Sequence, residues 1–252
     1  MDENIRVIDR AFDILELLSQ NQKSMSLTEI VKASGLSKST VHRLLQTMYA
    51  RHYVEKDNEG SYTIGLKLVE LISYHINNLE LQTEAKPFLA DLRSELSLTA
   101  HLGILDGTDV IYVEKIDLYP TTMLYSQIGY RSPAYCSSMG KCLLSCLSGE
   151  ELDETFSDFK FTQYTQRTIT SIHALKQHLK VVRMQGWAMD DEEYTPGHRC
   201  VGAPIYDYKG DAIASISVSG QISQISDNKL PEIIQQVKDT ALQISRRMSY
   251  TG

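Results

Sequence analysis

Residues 26–48 read SLTEIVKASGLSKSTVHRLLQTM, and this stretch decides how the first part of the chain folds. Ser26-Leu27-Thr28-Glu29 has the form of a capping box: the Ser26 hydroxyl can accept from the Glu29 amide while the Glu29 carboxylate reaches back. Ile30 and Val31 continue a short helix to Ala33. Ser34-Gly35-Leu36 is a tight turn in which Gly35 can take a positive φ. Ser37 can then N-cap another helix, whose inner face is Val41, Leu44, Leu45 and Met48. Upstream, Ile8, Ala11, Phe12, Leu15 and Leu18 recur at helical spacing and predict one apolar face. Downstream, Tyr53-Val54-Glu55 and Tyr62-Thr63-Ile64 have strand composition and flank the turn-rich residues 56–61, which predicts a hairpin. Three short helices, the last two joined by a glycine turn, followed by a β-wing describe a winged helix-turn-helix over residues 1–66.

Charge points the same way. The 252 residues carry 25 Lys/Arg against 32 Asp/Glu, a net −7, so bulk charge excludes a general polyanion binder. Yet no carboxylate lies between Glu29 and Glu55, where Lys32, Lys38, His42, Arg43, Arg51 and His52 all fall. The outward face of the third helix is Ser37, Lys38, Ser39, Thr40, His42, Arg43 and Gln46. Hydroxyls and free amides at a helix start suit phosphate. Lys38 and Arg43 can neutralise phosphate or bind guanine edges, and His42 and Gln46 can read bases. The competing reading is an ordinary solvated helix face. A basic window inside an acidic chain, coinciding with the motif, favours double-stranded DNA. Arg6 and Arg10, which precede or open the first helix, can add backbone contacts or be plain surface charge.

The rest of the chain mixes elements. Residues 67–80 predict a linker helix, and Pro87 is expected in the first turn of a helix over 86–96. Strands are expected at 99–105, 109–117, 122–128, 201–207 and 211–219, with hairpin turns at Asp106-Gly107 and Lys209-Gly210-Asp211. Helices are expected at 139–147, 150–155, 171–185 and 227–249. The fold class is therefore α+β, an antiparallel sheet flanked by helices over 81–252. With 42% apolar residues a core is feasible, and no apolar run approaches membrane-spanning length. The charged start MDENIRVIDR lacks an apolar leader segment, and the four cysteines (136, 142, 146 and 200) lack zinc-site spacing. Reduced thiols and a cytoplasmic location are expected, with no metal and no cofactor.

Tyr135-Cys136-Ser137-Ser138-Met139-Gly140-Lys141 is a serine-rich turn leading into an apolar helix. Its free amides can cradle a carboxylate, or it can be a simply capped helix. Cys142 and Cys146, four apart, read as two buried thiols rather than a metal pair. The carboxylates of residues 190–193 precede His198 and Cys200. A metal site lacks spacing there, and a Cys/His nucleophile lacks a third group and an oxyanion donor. No catalytic residue is assigned. Ser215, Ser217 and Ser219 alternate with Ile216 and Val218, which favours three hydroxyls lining a polar pocket over three facing water.

At these residues a resemblance emerges. The spacing Gly186-x3-Asp190-x2-Glu193-x6-Cys200-Val201-Gly202-x2-Ile205-Tyr206-Asp207 resembles the signature of IclR-type bacterial transcriptional regulators. Matches in order along nearly the whole chain include residues 10–16, 35–45, 62–68, 129–133, 138–141 and 164–169. The resemblance implies a winged helix-turn-helix, a linker helix and a GAF/PAS-like effector domain. It implies homodimers, often paired into homotetramers, on a palindromic operator, acting as repressors or activators. It also implies a small anionic carboxylate effector held by backbone amides at Met139 and Gly140 and by side chains at Asp190, Cys200, Ser217 and Ser219. Residues 113–117 and 124–131 most resemble family members that control sugar-acid catabolism. His52 departs from the glycine usual there, which bears on how the wing is entered. Larger side chains over 141–145 are expected to narrow the pocket.

Overall fold

The computed structural model describes residues 5–21, 23–71, 80–117 and 127–252. The chain divides into two compact units, Met1–Leu79 and Glu80–Gly252.

The first unit begins with α1 (Arg6–Gln20), α2 (Leu27–Ser34) and α3 (Lys38–Ala50). The capping box at α2 forms with both bonds, and Gly35 ends α2 at φ 67°. Ser37 caps α3, its hydroxyl accepting from the Thr40 amide. Strands β1 (Val54–Lys56) and β2 (Tyr62–Ile64) pair antiparallel as the wing. Its turn is organised by Asp57, which accepts from the Ser24 hydroxyl at 2.7 Å and from the Ser61 amide at 2.8 Å. Ile14, Leu18, Ile30, Val41, Leu45 and Val54 form the core. The inner face of α1 differs from the expected stripe. Ile14 and Leu18 are buried, whereas Ile8 and Phe12 are exposed. The apolar arc of α1 is wider than its contact with α2 and β2, so its Ile8–Phe12 edge is left over.

His52 takes φ 63°, a left-handed value. Gly65 lies against it so closely that an added Cβ would fall 2.2 Å from the His52 carbonyl oxygen. The wing is thus entered through the backbone geometry a glycine would adopt, with histidine bearing the cost.

Residues 67–71 are helical, and the remainder of the expected linker helix, 72–79, lies outside the described residues. The next helix, α4 (Glu80–Leu96), begins well before the expected 86–96 and holds Pro87 in its interior. Pro87 and Thr83, four residues earlier, both face solvent, so water can satisfy the carbonyl that proline leaves unpaired.

The second unit is built on a six-stranded antiparallel sheet in the order β5-β4-β3-β8-β7-β6. The strands are β3 (Thr99–Asp106), β4 (Asp109–Ile116), β5 (Arg131–Pro133), β6 (Ala188–Asp191), β7 (His198–Tyr206) and β8 (Ala212–Gln221). Of the expected strand 122–128, residues 122–126 lie outside the described residues, while Ile128 and Gly129 form a turn. The short edge strands β5 and β6 were not expected: three and four residues give no readable alternation.

The two sheet faces differ. Ala100, Leu102, Val201, Ala203, Ile216 and Val218 bury against α4 and α8 (Leu230–Arg247), including Leu89, Leu92, Ile233 and Val237. The opposite face carries the alternate residues His101, Gly103, Cys200, Gly202, Ser217 and Ser219, with His101 opposite Ser217 and Thr99 opposite Ser219. It is partly covered by α5 (Ser138–Cys146), packed with α6 (Gly149–Thr155) and α7 (Ile172–Gln185) around Tyr135, Leu144, Phe156 and Leu179. A polar sheet face with an incomplete helical cover leaves room for a cavity.

Candidate functional site

In the first unit, Ser37, Lys38, Ser39, His42, Arg43 and Gln46 are exposed, and Thr40 is half-buried. The Ser37 hydroxyl lies 2.8 Å from that of Thr40 and 3.1 Å from that of Ser39, so the cap clusters three hydroxyls at the start of α3. Among the described residues, no ion pair joins Lys32, Lys38, Arg43 or Arg51 to a carboxylate. The positive charge of this face is therefore not spent internally. Arg6, exposed, and Arg10, half-buried, lie on α1.

In the second unit, a cavity of about 360 Å³ opens between the polar sheet face and α5. Its lining includes five of the expected residues: Met139, Asp190, Cys200, Ser217 and Ser219. It also includes Ser137 and Ser138 at the start of α5. Gly140 stands apart from the expected cradle. It is absent from the lining, and its amide donates to the Ser137 hydroxyl at 3.1 Å. An added Cβ there would lie 2.3 Å from Ala134 Cα, so Gly140 allows a close backbone approach that seats the helix. The first-turn amides of Ser138 and Met139 have no acceptor within the helix and belong to lining residues. Ser215 is also outside the lining: α5 covers its end of the strand, and its hydroxyl donates to the Ala203 carbonyl at 2.8 Å.

Asp190 is buried, and its Oδ1 accepts from the amides of Glu193 at 2.7 Å and Tyr194 at 3.4 Å. Burial pushes its carboxyl up to about 7, against the opposing pull of the Lys141 charge. The turn after it contains Glu192 at φ 61° and is held from outside. Thr165 and Thr168 hydroxyls donate to the Glu192 and Glu193 carbonyls, each at 2.6 Å. Arg199 and Arg167 each reach Asp191 at 2.5 Å.

Cys200 is desolvated, which holds its thiol well above the usual range, with the Asp190 charge acting in the same direction. This is the reverse of an activated nucleophile. Cys142 is buried as expected, but Cys146 is exposed, because α5 ends there and turns its last residue outward. No group of three or more His, Cys, Asp or Glu able to hold a metal occurs among the described residues.

Sequence reasoning missed an aromatic wall. Tyr112, Tyr130, Tyr164 and Tyr194 line the cavity with His101 and Ser132. The hydroxyls of Tyr130 and Tyr194 hydrogen-bond at 2.7 Å, and the rings of Tyr164 and Tyr194 lie 4.8 Å apart. His101, edge-on to Tyr112 at 5.1 Å, could have been found from the strand alternation that flagged Ser217. Tyr130 and Tyr194 come from turns and carried no periodic signal.

With this architecture in place, comparison with known proteins is specific. Residues 7–58 match the IclR helix-turn-helix domain, and residues 74–246 match the bacterial transcriptional regulator IclR C-terminal domain. The chain belongs to the IclR family of bacterial transcriptional regulators. It is 35% identical to the HTH-type transcriptional regulator XynR of Escherichia coli, over 98% of each chain. It is 34% identical to KdgR of Escherichia coli, over 98% of this chain and 94% of that one. The crystal structure of the Thermotoga maritima IclR shares the fold at a TM-score of 0.84 with 28% identity, covering 98% of this chain and 100% of that one. This IclR-family chain is thus a DNA-binding transcriptional regulator with an effector-binding domain, and its relatives are regulators rather than enzymes. No helix among its described residues is long and apolar enough to cross a membrane.

Proposed function

We propose that this chain is an effector-responsive repressor of sugar-acid or related carboxylate catabolism, acting in the cytoplasm as a homodimer or homotetramer on a palindromic operator. Residues 1–66 bind DNA, 67–80 link, and 81–252 bind the effector. The observation that carries the reading is the cavity in which first-turn amides of α5 share a lining with Asp190, Ser217 and Ser219. Helix amides favour an anion, and the carboxyl and hydroxyls can hold the hydroxyl or keto groups of the same small acid. Among relatives, the transcriptional repressor IclR of Escherichia coli is 30% identical over 98% of this chain.

On DNA, each dimer places two copies of α3 in successive major grooves, roughly 34 Å apart. Ser37, Ser39 and Thr40 engage phosphate, Lys38 and Arg43 phosphate or guanine, and His42 and Gln46 base edges; Arg6 and Arg10 add backbone contacts. Effector binding favours one dimer arrangement, with a coupling of about 1–3 kcal/mol typical of such switches.

The four tyrosines favour one further ligand class, a hydroxylated aromatic acid. A structural neighbour of the same fold, from Microbacterium hydrocarbonoxydans, was crystallised with 4-hydroxybenzoate. A thermal-shift screen of the full chain with D-gluconate, pyruvate and 4-hydroxybenzoate separates these classes. Stabilisation by D-gluconate together with release of the chain's own promoter fragment is the expected result. Stabilisation by 4-hydroxybenzoate alone selects the aromatic reading, and no response to any acid refutes both.

A further inference from the structure

Lys141 is the fourth residue of α5, one turn from the amides at the cavity, and it is fully buried. Its ammonium donates to the Met189 carbonyl at 2.5 Å and pairs with Glu193. The other Glu193 oxygen, Oε2, is buried without a hydrogen-bond partner among the described residues. The Glu193 amide in turn donates to Asp190 Oδ1. One ammonium on the helix that supplies the anion-binding amides therefore grips the turn that carries Asp190.

The groups that feel this ammonium come from several elements around it. They are Asp190 and Glu193 on the β6–β7 segment, Cys200 on β7, Cys136 ahead of α5, Cys142 on α5 and His178 on α7. His178 is pushed down to about 4 by burial and by the Lys141 charge, so it is neutral near pH 7. Lys141 is then the cation of a cluster with two carboxyl groups. Where Asp190 and Glu193 ionise, Lys141 is the cation that offsets them.

We propose that Lys141 is the built-in counter-charge of the effector cavity, balancing Glu193 and Asp190 so that the cavity accepts an anion, and holding the Asp190 turn against α5. It acts through Glu193 and is a positioning residue rather than a ligand contact. The inference rests on the effector reading for its purpose, but its test needs no effector.

Cys200 lines the cavity, and its thiol responds to Lys141, Asp190 and Glu193 alike. Its alkylation by iodoacetamide in the full-length protein, followed by mass spectrometry of the Cys200 peptide, reads the local potential, because only thiolate reacts. At pH 8, Lys141→Met should slow alkylation and Glu193→Gln should speed it, each by about tenfold, in opposite directions. Loosened packing alone would move both variants the same way. Rates that shift together, or that do not shift, overturn the proposal. Should a single variant fail to fold, Lys141→Met/Glu193→Gln and Asp190→Asn carry the comparison. The double variant removes one charge of each sign and should leave the rate close to that of the wild type, while Asp190→Asn should raise it. Any other pattern in this pair also overturns the proposal. The acid screen can fail while this result holds, and the reverse, so the two readings are separable.

Discussion

Asp190 shows what a single residue contributes. Its carboxyl titrates near neutrality because burial disfavours the charged form, with the Lys141 charge opposing. Below about 7 it is mostly neutral and tolerates an anion beside it; as pH rises through that value it ionises and repels one. Affinity for a bare keto acid should therefore fall between pH 6 and pH 8, and Asp190→Asn should flatten the profile, measured by titration calorimetry. A polyhydroxylated acid should show a shallower fall, since the ionised carboxylate accepts its hydroxyl protons more strongly. At the other end of the chain, Arg43 is exposed and forms no ion pair among the described residues. Replacing it with alanine should weaken binding to the promoter fragment by about 1–3 kcal/mol if it reads a base, with the salt slope reduced by about one if it holds phosphate. Unchanged binding and slope in a filter or anisotropy assay would remove Arg43 from the interface.

At the scale of elements, two backbone positions matter more than their side-chain chemistry suggests. The start of α5 is pressed onto Ala134, with Gly140 at the contact. Gly140→Ala should destabilise the second unit by about 1–3 kcal/mol through overpacking. It should also blunt the effector response while leaving operator binding intact, since α3 lies in the other unit. Calorimetric melting and operator binding on the same preparation check both halves. The junction of α3 with the wing depends on His52 in the left-handed region. His52→Val should cost the first unit about 1–2 kcal/mol, because a β-branched residue tolerates that region least. A melting midpoint no lower than wild type would contradict the strain assigned there.

For the molecule as a whole, the acidic balance of −7 makes operator binding a local event against a repulsive background. Binding to the promoter fragment should weaken steeply between 50 and 200 mM salt, with the slope reporting the number of phosphates engaged. Salt-insensitive binding would mean that the basic face of α3 is not the contact. Much of this scale was legible from residues 26–64. Capping boxes, glycine turns and hairpin composition act between near neighbours, and each behaves in the structure as its chemistry predicts. The cavity was legible only in part. Ser217, Ser219, Asp190 and Cys200 stood out as polar residues in strand-like or signature contexts, and all four line it.

The sequence by itself determined the two-part organisation, the α3 surface and the regulator family, because these follow from periodicity, local hydrogen bonding and motif order. Tertiary structure decided the rest. It took Gly140 and Ser215 out of the cavity lining and brought in His101 and four tyrosines. It also joined Lys141 to Glu193, 52 residues apart. Such contacts depend on how the sheet and α5 close on each other, and no spacing along the chain encodes that distance.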